Sequence, residues 1–73
     1  MKYIVEMMLK KSKKKFYLKD NRTYCNDNTY CTSIESAIKF DSRMEGWQMV
    51  VAIIETSVSL GVKNENYYRV IGV

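Results

Sequence analysis

Lys2-Tyr3-Ile4-Val5-Glu6-Met7-Met8-Leu9-Lys10-Lys11-Ser12-Lys13-Lys14-Lys15-Phe16-Tyr17-Leu18-Lys19 reads as two strands around a charged turn. Up to Leu9 the side chains alternate. Tyr3, Val5, Met7 and Leu9 fall on one face, and Lys2, Ile4, Glu6 and Met8 on the other. A period of two belongs to a strand, and apolar residues in both sets predict a strand partly covered on both faces. Lys15 to Lys19 predicts a second strand with Phe16 and Leu18 inward. The lysines between the two strands then occupy a hairpin tip.

Lys10, Lys11, Lys13, Lys14 and Lys15 account for the whole net charge: the chain carries +4, and without these five it would carry −1. The basicity is therefore a local patch. Clustered ammonium groups add their fields within a Debye length of about 8–10 Å, so the patch attracts something anionic. Lysines at a hairpin tip also serve solubility and keep edge strands from pairing. Lys19 and Arg22 follow closely and would extend the basic stripe, with Phe16, Tyr17, Tyr24 and Tyr30 interleaved as surfaces for stacking.

Asp20-Asn21 is a turn signal. Thr23-Tyr24-Cys25 and Thr29-Tyr30-Cys31 then repeat around Asn26-Asp27-Asn28, which predicts a short second hairpin. With a three-residue apex, Tyr24 and Tyr30 stand opposite each other, either as a packed cross-strand pair or as an exposed pair that stacks a base or a partner side chain. Thr32-Ser33-Ile34-Glu35 has the form of a capping box, and Ile34, Ala37 and Ile38 predict a short helix with Phe40 continuing inward. Ser42-Arg43-Met44-Glu45 is a second box, opening a longer helix from Arg43 to about Leu60 with Gly61 as its cap. Along that helix Trp47, Val51, Ile54 and Val58 form one stripe, which Met49, Val50 and Ile53 widen. One small sheet covers only one face of so apolar a helix, so a second chain is expected on the other. The expected homodimer interface comprises Trp47, Val50, Val51 and Ile54. Tyr67 to Val73 alternates again as a terminal strand. The expected fold is α+β: a small antiparallel sheet, made of the N-terminal hairpin and the C-terminal strand, packed by one short and one longer helix.

A chain of 73 residues is expected to be a single domain, and at that size only about 60% of the unfolded surface is buried. An apolar content of 47% against 27% charged residues argues against disorder. Glu6 interrupts what would otherwise resemble the apolar core of a secretory signal. The longest apolar run, Met49 to Ile54, is far short of the ~20 residues that span a bilayer. A soluble, cytoplasmic protein without membrane association is expected.

The absence of histidine excludes Ser-His, Cys-His and histidine-ligated chemistry. There is no glycine-rich phosphate loop. The carboxylates are scattered, with Glu35 and Glu45 in caps and Asp20, Asp27 and Asp41 in turns, so no general acid–base couple is spaced for catalysis. Cys25 and Cys31 are expected as reduced thiols, a bridge between them being the alternative, and two soft ligands do not complete a zinc site. No catalytic residue, metal or cofactor is expected. Function is expected to rest on binding.

Phe16-Tyr17-Leu18-Lys19-Asp20-Asn21 followed by Thr32-Ser33-Ile34-Glu35-Ser36-Ala37-Ile38-Lys39-Phe40-Asp41-Ser42-Arg43 resembles small uncharacterised accessory proteins of tailed bacteriophages. Those read as a hairpin, a short helix ending in a Lys-Phe-Asp-Ser pattern, a longer helix and a last strand. The chain departs from that pattern at Gly46-Trp47 and in the apolar second half of the helix. The resemblance implies an accessory protein that acts on a host factor, such as a bacterial defence system. The leading expectation is therefore a phage-type inhibitor docking on a host protein in the bacterial cytoplasm. Its contact surface would be Lys10, Lys11, Lys13, Lys14, Lys15, Lys19, Arg22, Tyr24 and Tyr30. The alternative is a nucleic-acid or nucleotide binder that sets the same lysines against phosphates.

Overall fold

A computed structural model describes residues 1–20, 29–63 and 65–73. In chain order it has β1 (Tyr3–Met8), β2 (Lys15–Leu18), β3 (Tyr30–Cys31), a 3-10 turn (Ile34–Ser36), α1 (Arg43–Ser59) and β4 (Tyr67–Gly72). The strands form one antiparallel sheet in the order β3-β2-β1-β4. The class is α+β, as the alternation and caps predict. Arg22, Tyr24, Cys25 and the Asn26-Asp27-Asn28 apex lie outside the described residues, so the expected second hairpin is represented only by β3, which pairs with β2 through Tyr17–Cys31 and Leu18–Tyr30.

β1 lies inside the sheet because it is apolar on both sides. Its Ile4, Val5, Glu6 and Met7 are all buried, which an edge strand would not require. α1 packs across β1 and β4. Val5, Leu18, Val50, Ile53 and Val70 form the core beneath it, with Tyr3, Tyr30, Ile38, Phe40, Met49 and Tyr68 packed around them.

Both ends of α1 are determined by short-range chemistry. The Glu45 N–H donates to Ser42 Oγ at 3.2 Å, while the Glu45 carboxylate accepts from the Asp41 N–H at 2.9 Å. The reciprocal box is present, with its carboxylate arm reaching one residue further back than the usual N-cap amide. At the other end the Val62 N–H donates to the Ser57 carbonyl and the Gly61 N–H to the Val58 carbonyl. Gly61 sits at φ +69, so this is the paired-bond termination that glycine favours.

The expected helix at 34–40 is corrected to a single 3-10 turn. Ser33, not Thr32, precedes it, and no side chain caps it. The following residues are drawn into extended backbone beside the sheet. The Ile38 N–H donates to the Leu18 carbonyl at 2.9 Å, and Tyr3 and Phe40 exchange both backbone bonds at 2.9 and 2.8 Å. Those sheet bonds take up the backbone groups that a second helical turn would use. Lys39 Nζ closes the turn by donating to the carbonyls of Ala37 and Ile34 at 2.8 and 3.0 Å.

Candidate functional site: the lysine tip and the groove beside it

The turn between β1 and β2 is compact. The Leu9 N–H donates to the Lys14 carbonyl at 2.9 Å, and the Lys13 N–H donates to the Leu9 carbonyl at 3.0 Å. Closing so tight a turn places Lys13 at φ +61, the only non-glycine residue with positive φ among those described. Glycine or asparagine would take that position at less cost. Lys10, Lys11, Lys13, Lys14 and Lys15 are all exposed. Among the described residues, none of them is in an ion pair. Among the described residues their charge is therefore not neutralised by ion pairs, and it is gathered at one end of the sheet.

The tip lies against the start of β4. Lys13 Nζ is 5.4 Å from the centre of the Tyr67 ring, within cation–π range. Leu9, Lys10, Lys11 and Ser12 share a shallow hollow with Glu65 and Asn66. Lys19 is exposed but follows β2 at the end remote from the tip, so it does not continue the basic patch. Tyr30 is also apart, packed against the core beneath α1.

On the sheet face turned away from α1, alternation puts Glu6 and Met8 of β1 beside Lys15 of β2 and Tyr67 and Arg69 of β4. These residues and Tyr68 line a groove of about 360 Å³, at the lower end of the range for small-molecule sites. Glu6 forms its floor. The Glu6 side chain is only 7% exposed, and its Oε1 accepts from Arg69 Nη2 at 2.9 Å across the β1–β4 ladder. Sequence reasoning left Glu6, Met8, Tyr67 and Arg69 out of any site. The available signal was a lone carboxylate inside an apolar strand, and it needed the strand register to acquire a partner.

The expected interface on α1 divides. Trp47, Val51, Ile54 and Val58 are exposed, as are Met44 and Leu60. Val50 is the correction: at 3% exposure it belongs to the core, because it lies one residue round the helix from Val51 on the side facing the sheet. Cys31 is a free thiol whose Sγ donates to the Ser33 and Tyr17 carbonyls at 3.3 and 3.5 Å. Among the described residues no helix is long and apolar enough to cross a membrane, and no cluster of three or more His, Cys, Asp or Glu residues is placed to hold a metal.

No protein family, no curated protein and no solved structure matches this chain.

Proposed function

We propose that this is a non-catalytic binding protein, a phage-type inhibitor that docks on an acidic surface of a host protein such as a bacterial defence factor. The observation that carries the reading is the lysine tip: five exposed ammonium groups without ion-pair partners among the described residues, presented on a hydrogen-bonded turn. Such a point of charge suits the rim of a protein interface, where electrostatic complementarity speeds encounter and selects the partner. A nucleic-acid strand is bound instead along a track of cations and aromatic platforms. Here Lys19 is at the far end of β2 and Tyr30 is packed into the core, so the described residues do not extend the tip into such a track. The exposed stripe on α1 supports a homodimer as the working form.

The test replaces Lys11, Lys13, Lys14 and Lys15 with serine and measures capture of host proteins from lysate, followed by binding kinetics with the captured protein. Near-parental folding with a slower association rate, and a loss of salt dependence, is the expected result. Undiminished binding at low salt would overturn it. So would purified protein that carries nucleic acid, seen as excess absorbance at 260 nm, and loses it when Lys10, Lys11 and Lys14 alone are replaced.

A further inference from the structure

We propose that the groove on the sheet face turned away from α1 is a binding site for a nucleoside phosphate, beside the docking surface at the lysine tip and sharing Lys13 and Lys15 with it. The first reason is Glu6. It is the only carboxylate buried among the described residues, in a strand otherwise apolar on both sides. Only the carboxylate gives up its water, for a pair whose other partner stays in solvent, and such a half-exposed pair contributes little net stability. Together they do something an apolar pair would not. Glu6 anchors one edge of the Arg69 guanidinium while the Arg69 side chain stays 60% exposed. An anchored guanidinium plane stacks on a heterocycle and presents its remaining N–H groups to phosphate.

The second reason is what surrounds that plane. Tyr67, 49% exposed, supplies an aromatic wall two residues along β4 on the same face. Met8 supplies an apolar floor, and Lys15 an ammonium on the opposite wall. Lys13 reaches over the Tyr67 ring from the tip. The groove thus combines a stacking surface, a fixed guanidinium and two further cations within the space of one small ligand. A base and sugar against Tyr67 and Met8, with the phosphate toward Lys15, Arg69 and the neighbouring Lys13, matches the apolar and cationic groups of the groove. Both a free nucleotide and one residue of a single-stranded RNA offer this chemistry.

The experiment follows backbone amide shifts of the isotopically labelled protein on adding AMP, GMP, a hexauridylate or inorganic phosphate. The expected result is saturable shifts at Met8, Lys15, Tyr67 and Arg69 with nucleotide and none of that pattern with phosphate alone. Tyr67→Ala is expected to weaken binding about tenfold, the range of one lost base stack. Glu6→Gln should weaken it through loss of the Arg69 anchor, and the exposed Lys15→Gln should do so even if Glu6→Gln perturbs the fold. Tighter binding of the hexamer at the same amides would identify RNA as the source, and equal binding a free nucleotide. Shifts confined to Lys10–Lys14, an equal response to inorganic phosphate, or undiminished binding by Tyr67→Ala and Lys15→Gln would overturn the site. None of these outcomes depends on capture of a host protein.

Discussion

Gly46 on α1 lies directly over Val70 on β4: a Cβ on Gly46 would stand 2.8 Å from Val70 Cγ1 and 3.2 Å from Cγ2. The absence of a side chain lets the helix settle onto the sheet at its first turn. Arg43 holds it there, donating from Nη1 to the Val70 carbonyl at 2.8 Å while its guanidinium lies 5.0 Å from the centre of the Tyr3 ring. Gly46 is thus a position where α1 approaches β4 with no side chain of its own between them.

Gly46→Ala is expected to destabilise the protein, although alanine favours a helix by about 1 kcal/mol. Overpacking costs about 1–3 kcal/mol. Val70 is buried and stiff at χ1, so it cannot turn aside. Urea midpoints measure the sign. In a Val70→Ala background the clash disappears, and the same substitution should become neutral or stabilising. A raised midpoint for Gly46→Ala alone would show that the helix does not sit this close.

Lys13→Gly separates stability from function. A left-handed conformation costs an L-residue roughly 1–2 kcal/mol, against about 0.5–1 kcal/mol for an exposed cation–π contact such as that with Tyr67. The variant is expected to be at least as stable as the parent in urea and to bind its partner more weakly. Loss of stability without loss of binding would mean that Lys13 serves the turn alone.

The pair Lys2–Asp41 should leave a small mark on the pH profile. The hydrogen bond from the Lys2 ammonium holds the Asp41 carboxyl below the usual carboxylate range, and the same bond raises Lys2 above its ordinary value. The Asp41 contribution is therefore present above the unfolded carboxylate pKa and lost as pH falls through the depressed value. The Lys2 contribution is present below the unfolded lysine pKa and lost as pH rises through the raised one. Thermal midpoints should be level across the neutral range, and Asp41→Asn should flatten both limbs. Both side chains are exposed, so high salt should erase the difference. An acid limb unchanged by Asp41→Asn at low salt would remove the pair from the account.

Trp47→Glu with Ile54→Glu should abolish self-association without unfolding the chain, since both side chains lie on the exposed stripe of α1. Sedimentation of the parent should show a dimer that dissociates on dilution, and the variant a monomer at every concentration. A stable dimer of this kind buries on the order of 1,200–2,000 Å². A parent that stays monomeric at high micromolar concentration would sink the dimer, and the stripe would then belong to the partner.

The elements that could be read from sequence are those whose cause lies within a few residues. Alternation from Tyr3 to Met8 and from Lys15 to Leu18 delivers the hairpin, and the charge of its turn is a matter of counting. Ser42, Glu45 and Gly61 bound α1 because caps act on the adjacent turn alone. The 34–40 segment misleads for the same reason: its local signals favour a helix, while two backbone bonds to Tyr3 and one to Leu18 hold it extended. Which face of α1 the sheet covers is also beyond local reading. Val50 and Val51 are alike in sequence, and only the approach of β4 at Gly46 buries one and exposes the other. Above all, the groove draws Glu6, Lys15 and Arg69 from three strands, and only the antiparallel register places them side by side. Composition and local pattern determined the strands, the long helix and the site of the charge. The sheet order, the buried face of the helix and the partners of Glu6 were decided by packing, because they depend on residues far apart in the chain and close only once the sheet has formed.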